Sequence, residues 1–179
     1  FIRDACTAEP TVSLDSDTYN PDTSVGAVTV VDQCSPNSFA VVEVEADTGK
    51  ILVDENSDVV AYPASVLKLM VLYIILDRIE QGSLQFDEVV QVTREASQMG
   101  GSQVYLDTKE QFSVEDLLYA LIIQSANDAA VALAVHVAGS KDAFVELMNE
   151  KAATLGMNNT TFYSVHGLPP SEGQQPDKT

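Results

Sequence analysis

The tetrapeptide Ser65-Val-Leu-Lys68 places a hydroxyl and an amine at positions i and i+3. These positions share one face of an α-helix, so Lys68 is expected within hydrogen-bonding reach of the Ser65 hydroxyl. The stretch 66–76 around Lys68 is strongly apolar and predicts a helix buried on every side. Burial disfavours the ammonium form and lowers the pKa of a lysine. Lys68 is therefore predicted to act as a general base beside a Ser65 nucleophile.

A Ser-x-x-Lys tetrapeptide is a weak signal on its own, because a chain of this length contains roughly one by chance. An exposed lysine near a helix-capping serine gives the same pattern. The surrounding residues favour the chemical interpretation, since almost no polar residue flanks Lys68 before Asp77. The apolar stretch is also shorter than the ~20 residues that a membrane-spanning helix needs.

Ser125 and Asn127 form a second candidate pair. Ser113 begins a pattern similar to a capping box, which predicts the start of one helix, and a second helical pattern covers 128–138. Ser125 and Asn127 therefore fall at a junction between two helices, with apolar residues on both sides. Capping of the second helix would explain the pair. Beside a buried Ser-x-x-Lys, the alternative is a catalytic hydroxyl and a substrate-binding amide.

Several short stretches follow one another in an order that is typical of one protein family. They are Ala46-Asp-Thr-Gly-Lys50, Pro63-Ala-Ser-Val-Leu-Lys68, Gly101-Ser102, Glu115-Asp-Leu-Leu-Tyr119, Ser125-Ala-Asn-Asp-Ala-Ala-Val-Ala-Leu-Ala134, His136-Val-Ala-Gly139 and His166-Gly-Leu168. Through them, the chain from about Phe39 to Leu168 resembles the low-molecular-weight D-alanyl-D-alanine carboxypeptidases, which are penicillin-binding proteins. The resemblance implies an α+β fold of the penicillin-binding-protein and β-lactamase type, with a helical lobe and an antiparallel sheet.

The resemblance also implies a role for each candidate residue. Ser65 would attack the carbonyl of the penultimate D-Ala of a peptidoglycan stem peptide, which releases the terminal D-Ala and leaves an acyl-enzyme. Lys68 would take the Ser65 proton, and Ser125 would pass a proton to the leaving amine. Asn127 would hold the substrate amide and orient Lys68. The Ser65 N–H, at a helix N-terminus, would form half of an oxyanion hole. β-Lactams would acylate the same serine, and no metal or organic cofactor is needed.

The Lys-Thr-Gly element of the family is absent from this chain. In the family it lies on a later β-strand, supplies the other oxyanion donor and meets the substrate carboxylate. The segment Asp177-Lys-Thr179 follows turn-like residues without the β-branched run of a central strand, so it is interpreted as an accidental similarity.

The sheet is also predicted to be incomplete in this chain. The alternating stretch 40–46, a turn at 47–50 and the stretch 51–55 predict a β-hairpin, which is marginal by itself. We therefore expect a complementing polypeptide that carries Lys-Thr-Gly. It would be the rest of a chain that is nicked in a polar loop, or a separately encoded partner. A truncated, inactive homologue is the alternative.

Residues 1–38 are predicted to form an N-terminal extension with one strand at 25–31, and residues 39–179 the N-terminal portion of the peptidase domain. The extension holds both cysteines, Cys6 and Cys34, and neither has a metal-ligand partner at suitable spacing. Because the family works outside the cytoplasm, a Cys6–Cys34 disulfide is predicted, with two unrelated buried thiols as the alternative. The first residues lack the pattern of a signal peptide, as expected for a mature chain.

The composition is consistent with an exported globular protein. The hydrophobic fraction of 45% suits a packed core, and the net charge of −18 argues against nucleic acid and anionic membrane surfaces as partners. We expect an extracytoplasmic protein of the periplasm or cell wall, with any membrane association through a part outside this chain.

Two other functions are alternatives to the carboxypeptidase. A class A β-lactamase would need a Glu-x-x-x-Asn loop after Asn127, whereas Glu146 and Glu150 fall within a helical pattern. A non-catalytic peptidoglycan-binding module is favoured by the absent Lys-Thr-Gly and disfavoured by the intact Ser65, Lys68, Ser125 and Asn127. Both histidines, His136 and His166, are interpreted as structural.

Overall fold

The computed structural model describes residues 11–12, 30–31, 41–45, 47–55, 59–170, 173 and 175–179. The chain divides into two compact units, Phe1–Val59 and Val60–Thr179. Cys6, Cys34 and most of the strand expected at 25–31 lie outside the described residues, so the disulfide remains a prediction.

The N-terminal unit contains two antiparallel strand pairs. Strand β1 (Thr11–Val12) pairs with β2 (Val30–Val31), and β3 (Val41–Val44) pairs with β4 (Ile51–Glu55). The second pair is the hairpin expected from the sequence, which is thereby confirmed. Its turn is closed by a hydrogen bond from the Gly49 N–H to the Glu45 carbonyl at 2.9 Å, with Gly49 at a φ of 70° that favours glycine.

The C-terminal unit is mainly helical. A short 3-10 helix at Ala64–Leu67 leads directly into the first α-helix. In chain order the elements are then α1 (Lys68–Glu80), β5 (Val89–Gln91), α2 (Arg94–Ser97), β6 (Gln111–Ser113), α3 (Val114–Ile123), α4 (Asn127–Ala138) and α5 (Lys141–Thr154). Strands β5 and β6 pair antiparallel. Among the helices described, none has the length and apolar character needed to cross a lipid bilayer.

Local side chains determine where these helices begin and end. The Ser113 side chain accepts a hydrogen bond from the Asp116 N–H at 3.1 Å, and the Asp116 carboxylate accepts one from the Ser113 N–H at 3.3 Å. This reciprocal capping box begins α3 as the sequence predicts. Ser140 caps α5 by accepting from the Ala143 N–H, and Gly139 ends α4 at a left-handed φ of 83°.

Helix α4 lies at the centre of the C-terminal unit. Its first eight residues, Asn127–Ala134, are all buried, and α1, α2, α3 and α5 pack against it. Four of those eight residues are alanine, and small side chains allow neighbouring backbones to approach closely. Large side chains of the surrounding helices, such as Phe144, Leu117 and Ile75, are buried in the same hydrophobic core. The start of α4, and the residues just before it, therefore have a fixed position in the core.

The prediction that the Ser65 helix is buried on every side is wrong for this structure. One face of α1 is buried and includes Lys68, Val71 and Ile75. The opposite face remains exposed, with relative accessibilities of 65% for Val66, 59% for Leu69, 45% for Tyr73 and 40% for Leu76. An apolar pattern indicates that a face can be covered, but it does not specify that the same polypeptide covers it. Val66 belongs to the 3-10 helix that leads into α1. We call these four side chains the exposed stripe of α1.

Candidate active site

Lys68 brings the candidate residues together. Its ammonium nitrogen Nζ lies 3.0 Å from Ser65 Oγ, 3.2 Å from Ser125 Oγ and 3.1 Å from the backbone carbonyl oxygen of His166. Lys68 is only 2% exposed, whereas Ser65 faces solvent. The three N–H donors of the ammonium group thus have three acceptors, two of which are candidate catalytic hydroxyls.

Burial changes the acid–base chemistry of this lysine. Desolvation lowers the pKa of Lys68 from 10.5 to about 8. At that value about a tenth of the side chain is neutral at pH 7, against less than about a thousandth for an ordinary lysine. A base whose pKa is close to the working pH accepts a proton effectively, and its nearest hydroxyl protons are those of Ser65 and Ser125.

The turn that presents Ser65 depends on a close backbone contact. Ala64, immediately before Ser65, has a left-handed φ of 46°, which is unusual for a residue other than glycine. Gly167 packs against its carbonyl so closely that a Cβ at position 167 would lie 2.0 Å from the Ala64 oxygen. Ser65 follows in the first turn of a helix, where backbone N–H groups have no partner within the helix. Its N–H is therefore suited to bind a developing oxyanion.

Ser125 occupies a sharp turn between α3 and α4. Helix α3 ends with hydrogen bonds from the N–H groups of Gln124 and Ala126 to the Ala120 carbonyl, both at 3.2 Å. Between them Ser125 adopts a left-handed φ of 55°. Such a conformation costs of order 1–3 kcal/mol and is maintained only where the surrounding structure requires it. Here it places the Ser125 hydroxyl beside Lys68.

Asn127 is the first residue of α4 and is 2% exposed. Its side-chain N–H₂ donates to the Gly100 carbonyl at 2.8 Å, and its backbone N–H donates to the Ser102 carbonyl at 2.8 Å. The side-chain oxygen Oδ1 is buried and has no hydrogen-bond partner among the described residues. An unpaired buried acceptor costs about 1–3 kcal/mol, so a donor N–H from a bound peptide would be favourable there.

The sequence predicts that Asn127 orients Lys68. In the described part of the chain, however, no hydrogen bond joins these two side chains. The contacts that orient Lys68 come from Ser125 and from the His166 carbonyl. The sequence does not predict this contact, because a backbone acceptor leaves no trace in residue type. The His166-Gly-Leu168 stretch was the only available signal.

Asp128 was also missed, although it is completely buried. Its carboxylate accepts hydrogen bonds from the N–H groups of Val104 at 3.1 Å and Leu106 at 3.1 Å. It also accepts one from the Ala129 N–H at 3.0 Å. These bonds fasten the loop 100–106 to the start of α4. The sequence signal is an acidic residue in a first helical turn, which usually indicates no more than a favourable helix dipole.

The imidazole of His166 is a hydrogen-bond acceptor at Nδ1, which receives the Leu168 N–H at 3.1 Å. Burial lowers the pKa of His166, and the positive charges of Lys141 and Lys68 act in the same direction, while Asp177 opposes them. A neutral ring with its proton on Nε2 follows. The other histidine, His136, pairs with Glu88 at 2.8 Å on the surface. The described residues contain no cluster of three or more His, Cys, Asp or Glu side chains that could hold a metal ion.

A family model described as D-alanyl-D-alanine carboxypeptidase matches residues 27–175. The chain is 39% identical over 129 residues to the D-alanyl-D-alanine carboxypeptidase DacF of Bacillus subtilis. The aligned region covers 72% of this chain and 33% of DacF. The crystal structure of the carboxypeptidase DacD from Francisella tularensis matches with a TM-score of 0.74 and 37% identity, covering 78% of this chain and 33% of DacD.

Penicillin-binding protein D2 from Listeria monocytogenes, solved in its ampicillin-bound form, matches with a TM-score of 0.67 and 32% identity. That match covers 78% of this chain and 55% of the Listeria protein. The chain spans about a third of the length of the curated relatives that it matches. The α+β fold and the resemblance found in the sequence are both confirmed. This chain belongs to the D-alanyl-D-alanine carboxypeptidase family.

Proposed function

We propose that this protein is a serine-type D-alanyl-D-alanine carboxypeptidase that cleaves peptidoglycan stem peptides through an acyl-enzyme on Ser65. The observation that carries the proposal is the buried Lys68, which has a lowered pKa and hydrogen bonds to the hydroxyls of both Ser65 and Ser125. A lysine in that environment is a general base between a nucleophile and a second hydroxyl that can relay a proton.

The reaction begins when neutral Lys68 accepts the proton of the Ser65 hydroxyl, 3.0 Å away. The Ser65 oxygen attacks the carbonyl carbon of the penultimate D-Ala, and the carbonyl oxygen becomes an oxyanion that the Ser65 N–H stabilises. The proton then passes from Lys68 through Ser125, 3.2 Å away, to the amine of the terminal D-Ala. The peptide C–N bond breaks and the terminal D-Ala leaves.

Hydrolysis of the acyl-enzyme completes the cycle. A water molecule attacks the ester carbonyl as it gives a proton to Lys68, and Lys68 passes that proton to the Ser65 oxygen, 3.0 Å away, as the ester bond breaks. During both steps the unpaired Oδ1 of Asn127 accepts a hydrogen bond from an N–H of the stem peptide. β-Lactams contain a carbonyl that the same hydroxyl attacks. We propose that they acylate Ser65 and that the resulting acyl-enzyme is hydrolysed slowly.

The test is intact-protein mass spectrometry before and after exposure to ampicillin. The proposal expects a mass increase of one ampicillin, located on Ser65 by peptide mapping and absent in Ser65→Ala. Lys68→Ala should slow the acylation by ~10²-fold or more because the general base is lost. Ser83→Ala, which removes an exposed hydroxyl that donates to the Arg78 carbonyl, is the matched control and should be acylated as the wild type is.

We also propose that a further polypeptide completes the sheet and supplies Lys-Thr-Gly, either as a separate piece of a nicked chain or as a separately encoded partner. The support is the exposed stripe of α1 and the two-stranded hairpin β3–β4. Native mass spectrometry of the purified protein should detect a second polypeptide that contains Lys-Thr-Gly. The proposed enzyme would act outside the cytoplasm, where peptidoglycan stem peptides occur.

The second candidate function is a non-catalytic peptidoglycan-binding module, which the absence of Lys-Thr-Gly favours. No ampicillin adduct and no second polypeptide would support that function and contradict the enzyme. A β-lactamase is distinguished by turnover, since rapid hydrolysis of nitrocefin requires fast deacylation. Burst acylation followed by slow turnover is the result expected for the carboxypeptidase.

A further inference from the structure

The carboxylate of Asp177 is buried, with 7% exposure, and no step of the mechanism above uses it. Its oxygen Oδ1 accepts hydrogen bonds from the backbone N–H groups of Tyr163 at 2.6 Å and Ser164 at 2.8 Å. Its other oxygen Oδ2 accepts from the Ser164 hydroxyl at 2.7 Å. Asp177 therefore fixes both the backbone and the side chain of Ser164.

Ser164 carries this constraint to the turn that touches the catalytic residues. Its hydroxyl oxygen accepts a hydrogen bond from the Gly167 N–H at 2.9 Å. Gly167 is the residue that packs against the Ala64 carbonyl, next to Ser65. The carbonyl oxygen immediately before Gly167, that of His166, accepts from Lys68 at 3.1 Å. A continuous chain of contacts thus links the Asp177 carboxylate to the general base.

The position of Asp177 is itself fixed by backbone pairing of the two residues that follow it. Lys178 and Thr161 exchange two backbone hydrogen bonds of 2.8 and 2.9 Å. Thr179 and Ala61 exchange two more, of 2.9 and 3.1 Å. Segment 177–179 therefore lies between two backbone segments, one at Ala61 that leads to Ser65 and one at Thr161 that leads to His166. Asp177 is the acidic side chain that this segment directs into the turn.

We propose that Asp177 is a positioning residue for Lys68: through Ser164 it holds the His166–Gly167 turn, so that the His166 carbonyl stays within hydrogen-bonding distance of the lysine. This role rests on the proposed function of Lys68 as the general base. The chemistry requires it because a small displacement of a catalytic group costs large factors in rate. A carboxylate suits the role, since it accepts from two backbone N–H groups and a hydroxyl at once.

The test compares Asp177→Asn with the wild-type protein in two measurements. The first is competitive labelling of the Lys68 amine with acetic anhydride at a series of pH values, read by peptide mass spectrometry, which does not depend on catalysis. The second is the rate of Ser65 acylation by ampicillin. In Asp177→Asn the amide cannot accept the Ser164 hydroxyl and two N–H groups together, so the turn loosens and the His166 carbonyl no longer stabilises the ammonium form.

We therefore expect Lys68 to label at lower pH in the variant and Ser65 to be acylated about tenfold more slowly. The groups around Lys68 are the hydroxyls of Ser65 and Ser125 and the imidazole of His166, whose pKa the Asp177 charge raises. Ser164→Ala removes the hydroxyl link but keeps that charge, so the effects it shares with Asp177→Asn come from the link and not from the lost charge. The matched control is Asp142→Asn, an exposed carboxylate that lines the same cleft as Asp177. It should leave both measurements unchanged.

A second pair of variants keeps the proposal testable if Asp177→Asn does not fold. Ser164→Ala removes only the hydroxyl link and should reproduce both effects, while Ser164→Thr keeps the hydroxyl and should restore wild-type behaviour. Wild-type labelling and acylation in both Asp177→Asn and Ser164→Ala would overturn the positioning role. Failure of the wild-type protein to be acylated would instead contradict the proposed function, and the labelling comparison would still decide the positioning role.

Discussion

At the scale of single residues, the site combines a buried amine with backbone strain. Among the described residues, the non-glycine residues with positive φ are Ala64, Tyr105 and Ser125. Two of them adjoin or carry a candidate catalytic hydroxyl. The third lies between the two N–H groups that Asp128 binds. Strain of this kind is concentrated at functional sites, because the unfavourable backbone conformation positions the reactive groups.

Lys68 is predicted to lower the stability of the fold at neutral pH. Its pKa is about 8 in the folded protein and 10.5 for the free side chain. Between these values the unfolded chain binds more protons, so the contribution of Lys68 to the free energy of unfolding rises with pH and is complete above 10.5. The difference of about 2.5 units corresponds to ~3 kcal/mol.

Lys68→Met keeps a side chain of similar shape but removes the charge, so it isolates the contribution of that charge to the free energy of unfolding. Its advantage in the free energy of unfolding over the wild-type protein should shrink by ~3 kcal/mol as the pH rises from 7 to 10.5. Urea unfolding at several pH values measures it. Met70→Leu, a buried substitution on the same helix, should show a difference that does not vary with pH. A constant Lys68→Met difference would mean that the lysine is not desolvated in the folded protein.

At the scale of elements, the first two residues of α4 hold the loop 100–106 to the start of that helix. Asp128 is fully buried, and in the part of the chain that the structure describes its carboxylate is stabilised by backbone N–H groups and by the helix N-terminus. Asn127 adds two further hydrogen bonds to the same loop. The loop and the residues that carry Ser125 and Asn127 therefore form one structural unit.

Asp128→Ala should destabilise the protein by about 3 kcal/mol, because it leaves the buried N–H of Leu106 and the partly buried N–H of Val104 without their acceptor. Asp87→Ala, at an exposed carboxylate, should change the free energy of unfolding by no more than ~0.5 kcal/mol. Denaturant unfolding compares them. Equal effects of the two substitutions would show that the loop is held by other contacts.

Local elements were predictable because their causes are local. The capping box at Ser113, the glycine that ends α4 at position 139 and the β3–β4 hairpin follow from neighbouring residues, and the structure contains all of them. Ser65 and Lys68 were predicted together for the same reason. The contacts of Asp128 and Asp177, the His166 carbonyl and the exposed stripe of α1 depend on residues distant in sequence, and no periodicity encodes them.

At the scale of the whole molecule, the net charge of −18 bears on how the anionic substrate proposed above would be recognised. A stem peptide ends in a carboxylate, and so does a penicillin. The field of the protein repels both at long range, but salt screens it beyond about 8 Å at physiological ionic strength. Under the proposed function, recognition would therefore come from groups within the cleft, including the Lys-Thr-Gly cation that the proposed completing polypeptide would supply.

The exposed stripe of α1 provides a test of completion by another polypeptide. Val66, Leu69, Tyr73 and Leu76 form one apolar face, and burying a side chain of this size is worth about 1.5–3 kcal/mol. If the completing polypeptide packs on this face, Leu69→Glu places a charge inside the contact. It should then reduce the amount of the second polypeptide that co-purifies by tenfold or more, a loss that corresponds to about 1.4 kcal/mol.

The same substitution should leave the isolated chain folded, because Leu69 is 59% exposed there and its charge would be solvated. Val89→Glu is the matched control, since Val89 is 57% exposed on β5 and lies outside the stripe. Native mass spectrometry and circular dichroism separate the two effects. Undiminished co-purification with Leu69→Glu would place the completing polypeptide elsewhere, and loss of folding in the isolated chain would mean that the stripe is already covered by this chain itself.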